Sequence, residues 1–345
     1  AQESRGLGDV YKRQTSRCIK FGLQKKCIVS LFGIIAPFLI LRRIFPKLSW
    51  IHIKVQDFIM GIFMRKCDIC ISLTGYVYAP RIAQKKGAII IMERGSKHIL
   101  EQKKILEKNP HKKNEAIPNR NIKCNLKAYQ FANFISVASQ HVKESFLLHQ
   151  YPENRIFVNP YGVDLSMFKP LPNIPKKYDV IMVGGWGYEK GCDLIVEAIR
   201  KTNYSFIHVG SIKDVDFPQE KNFTHIDPVD QSKLIEYYNQ AKVFILPSRQ
   251  DGFGMVLSQA LACNLPIIGS NNCGAPDLKK MVELPEYITI IKDYTADAIV
   301  TAIHTAIKNY EQLGERIYAG NAIENLTWEA YGKRYANFLH KIIKQ

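Results

Sequence analysis

Between residues 178 and 270 the chain repeats one unit: a short apolar run, a loop rich in glycine or proline, and an amphipathic stretch. The pattern predicts strands over 178–183, 205–209, 224–226, 243–246 and 266–269, with helices over 192–200, 231–240 and 255–262. Strand, loop and helix in strict alternation mean βαβ units, and βαβ units mean a parallel, doubly wound sheet. Residues 66–166 carry a looser version: apolar runs at 67–72, 88–92, 134–139 and 155–158, the third followed by a helix over 140–148 with Ser139 placed as its cap. The stretch 111–123 is rich in Lys and Asn and predicts a surface loop. A chain of 345 residues exceeds what one core usually holds, so two α/β domains joined near Tyr161–Pro170 are expected.

Charge divides the chain in the same place. Residues 1–165 hold 28 Lys and Arg against 11 Asp and Glu; residues 166–345 hold 20 of each. The whole net charge of +17 therefore belongs to the first domain, which suits an anionic surface or partner there. The basic residues follow no nucleic-acid reader motif with interleaved aromatics, so nucleic acid is not an expected partner. Residues 1–14 have no hydrophobic period and read as a non-native leader, leaving a first domain truncated at its start. Cys27–Leu41 is an uncharged run of 15 residues between Lys25-Lys26 and Arg42-Arg43, broken by Pro37. A spanning helix needs about 20 residues, so this run predicts a buried or interfacial helix. Eight cysteines are too sparse for a disulfide scaffold and indicate a reducing compartment.

Two loops carry the chemistry. Val183-Gly184-Gly185-Trp186-Gly187-Tyr188-Glu189-Lys190-Gly191 follows a strand and opens a helix, where glycines let backbone N–H groups approach a phosphate and Lys190 adds a charge. It is neither a P-loop nor a dinucleotide fingerprint. Pro247-Ser248-Arg249-Gln250-Asp251-Gly252-Phe253-Gly254 opens the helix bearing Gln259. Asp251 and Gln259 are eight residues apart, about two helical turns, so both can serve one polyhydroxylated ligand. Gly269–Leu278 forms another strand-end loop beside the same cleft, and Asn159-Pro160-Tyr161-Gly162-Val163-Asp164 marks the junction. Cys67-x-x-Cys70 lacks a second ligand pair, and Asp214-Val215-Asp216 is too short a match to predict a metal site.

In this order, the junction, the glycine loop and the Pro-Ser-x-x-Asp-Gly-Phe-Gly stretch resemble retaining glycosyltransferases of the family-4 type, with the GT-B fold. The resemblance is close from about residue 155 onward and looser over 66–150. It implies two Rossmann-like domains facing a cleft: an N-terminal acceptor domain to 165, a nucleotide-sugar donor domain over 166–326, and a terminal helix over 327–345 that crosses back. It implies sugar transfer from a nucleotide-diphosphate donor to a glycan or lipid-linked acceptor with retention, by front-face attack, without metal or other cofactor. Asp251 would contact the donor sugar, Gln259 the ribose, and Lys190 the diphosphate. Gly184, Gly185, Gly252, Phe253 and Gly254 would line the donor pocket, and the backbone at Asp227 and Val229 would hold the base. The family's loop Arg is Gly185 here, and its two Glu are Asp251 and Gln259, so a weak or inactive nucleotide-sugar binder is the first alternative, and a basic nucleic-acid-binding protein, suggested by the charge alone, the second. Glu93 or His98 would face the reacting sugar from the first domain. The expected setting is the cytoplasm, at the inner face of an anionic membrane, as in lipopolysaccharide or capsule synthesis.

Overall fold

The computed structural model describes residues 12–14, 28–30, 34, 49–111, 117–282, 285–313 and 324–344. Two parallel sheets organise them. The larger holds β7 (Tyr178–Val183), β8 (Phe206–Val209), β9 (Phe223–Ile226), β10 (Ala241–Leu246), β11 (Ile267–Ser270) and β12 (Ile288–Ile291) in the order β12-β11-β10-β7-β8-β9. The smaller holds β3 (Ile69–Leu73), β4 (Ile89–Arg94), β5 (Phe134–Val137) and β6 (Ile156–Val158), in sequence order. All neighbours run parallel. The reason is in the strands: Val180, Ile181, Met182, Val243, Phe244 and Ile245 are fully buried, which requires cover on both faces, and the intervening helices supply it.

The larger sheet has a topological switch. From β7 the chain moves outward through β8 to β9, then returns to lay β10, β11 and β12 on the other side. The loops leaving β7 and β10 therefore diverge, and a crevice opens at the carboxyl ends of those two strands. The glycine loop and the Asp251 loop are those two loops.

The chain crosses between the domains twice, and the two crossings touch. Val163 N–H donates to Leu326 C=O at 2.7 Å, and Val163 pairs with Thr327 as a parallel bridge. At Gly162 a Cβ would lie 2.5 Å from Trp328 Cα, so no larger residue fits under the second crossing. The helix Trp328–Ile343, capped by the Thr327 hydroxyl accepting from Ala330 N–H at 3.1 Å, then lies on the smaller sheet. Phe338 stacks on Phe157 at 4.1 Å and meets Phe134 edge-on at 5.3 Å, while Tyr335 and Ile342 close over Ile91. Arg334 fastens the helix to the junction through Asn159 Oδ1 at 2.7 Å and Pro160 C=O at 2.8 Å.

Three details depart from the sequence expectations, the first being that the helix Asn119–Phe131 begins inside the stretch 111–123 expected as a surface loop. Ser139 does not cap the helix Gln140–Leu147; its hydroxyl donates to Gly252 C=O at 2.6 Å across the domain boundary. The cap comes from the other domain, where Asp277 accepts from Gln140 N–H at 3.1 Å. Trp328 stays 45% exposed beside Tyr161, and the docked stripe runs through Tyr335, Phe338 and Ile342. β2 (Ile28–Ser30), at the start of the run predicted as a helix, is a strand paired with β1 (Lys12–Gln14) of the expected leader. Apart from Ile34, the remainder of Cys27–Leu41 lies outside the described residues, as do residues 1–11. No helix among the described residues is long and apolar enough to cross a membrane.

Candidate active site

The glycine loop turns sharply because Gly184 and Gly191 take φ of +130° and +74°. A short 3-10 turn, Tyr188–Lys190, then delivers Lys190 to the mouth of the crevice. From β10, Gly254 at φ +79° starts the helix Met255–Ala262 and leaves Asp251 facing back. The two side chains meet: Lys190 Nζ donates to Asp251 Oδ2 at 2.5 Å. Burial alone would lower the Lys190 pKa, but the Asp251 charge and hydrogen bond hold it above its ordinary value. Asp251 is further fixed by its own N–H on Asn272 C=O at 2.9 Å and by accepting from Phe253 N–H at 3.3 Å.

The other donor-side residues take varied positions. Gly185 is half-buried, and the space a side chain would fill there is taken by Lys213. Gly252 packs against the backbone of Gly95 from the first domain, with no room for a Cβ. Phe253 is buried and meets Tyr161 edge-on, so only its backbone is available to a ligand. The Gln259 carboxamide oxygen accepts from Tyr238 Oη at 2.9 Å, leaving its NH₂ to donate. Asp227 is exposed at the end of β9 and Val229 is half-buried, two strands away from β7.

On the facing domain, Glu93 and Arg94 end β4 and turn to different partners. Glu93 accepts from Tyr331 Oη at 3.5 Å, and burial raises its pKa against the pull of Tyr335 and Tyr331. His98 is buried and acts as a helix cap, its Nδ1 accepting from Leu100 N–H at 3.4 Å while the ring stacks on His149 at 4.0 Å. Burial, with the like charge of His149 and Arg94, depresses His98 to about 3, so the ring is neutral at ordinary pH. Of the two first-domain candidates, Glu93 is thus held by the returning helix and His98 by its own core.

Several residues at the cleft were not singled out from sequence. His141 Nε2 meets Asp251 C=O at 2.7 Å, and burial depresses its pKa to about 4, so a neutral ring donates to that carbonyl. Lys97 Nζ donates to Asn272 Oδ1 at 2.6 Å. Asn109 Nδ2 donates to Asp214 Oδ2 at 2.9 Å. Tyr161 lies between Gly95 and Phe253, its pKa raised by burial and by the charges of Glu93 and Asp251. The signal for Tyr161 was present in the junction motif; for His141, Lys97 and Asn109 the partners lie over 100 residues away and nothing local marks them. Asp214 is a tether, since its Oδ1 also accepts from Tyr188 N–H at 2.9 Å. No group of three His, Cys, Asp or Glu among the described residues has metal-holding geometry.

Residues 166–322 match the family model described as Glycosyl transferases group 1. A curated relative, "Probable sucrose-phosphate synthase" of Thermosipho melanesiensis, is 26% identical over 242 residues, covering 62% of this chain and 56% of that protein. The chain thus spans little more than half that relative's length. Among solved structures, sucrose-phosphate synthase from Thermosynechococcus elongatus superposes with a TM-score of 0.63 at 17% identity, over 87% of this chain and 80% of that one. Anabaena HepE, solved in complex with UDP, gives 0.60 at 14% identity, over 76% and 75%. The fold is GT-B, with two Rossmann-like domains.

Proposed function

We propose that the chain is a glycosyltransferase that takes a sugar from a nucleotide-diphosphate donor and passes it to a glycan or lipid-linked acceptor with retention of configuration. The observation that carries the proposal is the Lys190–Asp251 pair, set at the carboxyl ends of β7 and β10 inside the stretch that matches the family. Open α/β sheets bind ligands at that place. An arriving diphosphate takes Lys190 from Asp251 as a charge-assisted partner, and the freed Asp251 carboxylate turns to the sugar hydroxyls. The amide hydrogens of the glycine loop and the N-terminus of the helix Cys192–Arg200 add partial positive charge at the leaving group. The reading needs no metal, because these groups carry the charge. The Gln259 amide donates to the ribose, and the base lies toward Asp227 and Val229.

Transfer and hydrolysis measured across a panel of nucleotide sugars test the proposal. One donor is expected to turn over, with retained anomeric configuration by NMR; binding of a nucleotide sugar with no transfer to any glycan or lipid-linked acceptor would replace it with an inactive binder. Two observations favour that second reading: Gly185 offers no side chain to the diphosphate, and Gln259 carries no charge and already accepts from Tyr238.

The same proposal places the enzyme in the cytoplasm, at an anionic membrane face. It rests on the +17 of residues 1–165 and on the basic pairs bracketing Cys27–Leu41. Flotation with anionic vesicles is expected to capture the chain in low salt and to release it as salt rises. Capture independent of lipid charge would remove the electrostatic part of the reading.

A further inference from the structure

The glycine loop has a hole where a side chain would be, and the hole is filled from elsewhere. A Cβ built on Gly185 would overlap Lys213 Cε and lie 2.7 Å from Nζ and 3.0 Å from Cδ. The Lys213 side chain therefore lies directly over residue 185. Its backbone is fixed there by an extension of the sheet beyond the strand ends. Trp186 N–H donates to Ser211 C=O at 2.8 Å, Lys213 N–H donates to Trp186 C=O at 2.9 Å, and Trp186 pairs with Ile212. The next residue, Asp214, locks the arrangement onto Tyr188 N–H, and Gly187 leaves no room for a Cβ beneath it.

Two cations thus stand at the loop after β7, Lys190 within it and Lys213 laid over it from the loop after β8, and they are in opposite states. Lys190 is half-buried and neutralised by Asp251. Lys213 is exposed, and among the described residues its ammonium has no carboxylate or carbonyl partner. A positioned cation without a counter-charge, beside backbone N–H groups at the carboxyl end of a central strand, is what an anion at that loop requires.

We propose that Lys213, on the loop after β8, is the second cation of the diphosphate subsite, and that Gly185 is glycine because Lys213 occupies its side-chain volume. The proposal rests on the nucleotide-sugar reading above and names a residue for it. It also turns Gly185 from a lost contact into one half of a paired arrangement, in which the charge comes from 28 residues further along the chain.

Calorimetric titration of the intact chain with UDP, GDP and ADP, each beside its free nucleoside, tests it. The wild-type chain is expected to bind one diphosphate tightly. Lys213→Ala is expected to weaken that diphosphate about 10-fold, with a shallower salt dependence and no change toward the nucleoside. Lys213→Arg is expected to retain binding. Gly185→Arg in the Lys213→Ala background is expected to recover most of the loss, whereas Gly185→Arg alone, which forces Lys213 aside, is expected to give no gain over wild type. Unchanged diphosphate affinity in Lys213→Ala would overturn the assignment while leaving the nucleotide-sugar reading intact. An equal loss toward the free nucleoside would make Lys213 structural and overturn it as well. If the wild-type chain binds none of the three diphosphates, both the assignment and the reading beneath it fall.

Discussion

The two sides of the cleft hold their charges by different means. On the larger-sheet side the pairs at the cleft set charge against charge: Lys190 with Asp251, and Arg249 in a fork on Asp193 at 2.5 and 2.7 Å. On the facing side charge is buried among neutral groups. Arg94 donates to Asn125 Oδ1, Gln102 Oε1 and Lys97 C=O, and Glu93 sits under Tyr331 and Tyr335. An ion pair can be exchanged for an ionic ligand at modest cost, since one counter-charge replaces another. A charge solvated by fixed dipoles cannot be released without leaving those dipoles unpaired. The larger-sheet side is thus built for exchange, and the smaller-sheet side for holding a shape.

The largest effect expected from that difference is on turnover. Asp251→Ala should lower it about 100-fold, because the carboxylate acts where charge develops, while Gln259→Ala should act mainly on donor KM. Steady-state kinetics with the active donor checks this; equal losses in turnover would erase the distinction between the two residues.

Binding sharpens the exchange argument. Lys190→Ala should cost about 1.5–3 kcal/mol of nucleoside-diphosphate affinity by calorimetry. Asp251→Asn should leave that affinity unchanged or raise it, because Lys190 no longer has to abandon a counter-ion. A loss in Asp251→Asn would mean that the pair binds as a unit.

Shape-holding predicts a stability effect on the other side. Phe338→Ala removes a ring stacked on Phe157 and should destabilise the smaller-sheet domain by about 2–3 kcal/mol in urea unfolding, with donor affinity retained. Donor affinity lost in step with stability would show that the domains fail together.

The smallest effect is on pH. Burial raises Asp277 to about 6, above its ordinary 3.8. The folded, closed form therefore holds the proton more tightly than the unfolded chain, so its stabilisation is complete below about 4 and is lost as pH rises through 6. His141, depressed to about 4, acts with the opposite sign: its stabilisation is present above about 6.5 and is lost as pH falls through 4. The difference in urea midpoint between wild type and Asp277→Asn isolates the first contribution, and it should decline from pH 4.5 to 7.5. A flat difference would mean that Asp277 stays ionised in the closed form.

Much of the donor domain was legible because its signals are local. Strands buried on both faces, followed by glycines, fix β7 and β10, and with them the places of Lys190 and Asp251. What could not be read is partner choice across the cleft. Ser139 has every local mark of a cap, yet Gly252 C=O competes for its hydroxyl, and Asp277 takes over a role written nowhere near residue 140. His98 is placed by sequence where a cleft residue belongs, but the rings of Tyr129, Phe146 and His149 draw it into the core. Lys213 was passed over because its meaning depends on an absent side chain at 185.

The double crossing at Gly162 has a mechanical consequence. A single linker lets two bodies twist, slide and tilt about one another. Two strands of chain bonded side by side, at Val163–Leu326 and Val163–Thr327, act as a hinge pin and suppress all of these but one rotation. Any motion that parts Gly252 from Gly95 must then swing about the line through residues 162–163 and 326–328, with the gap widening in proportion to distance from that axis. The widest opening then falls at the far rim, and atoms near the axis scarcely move at all.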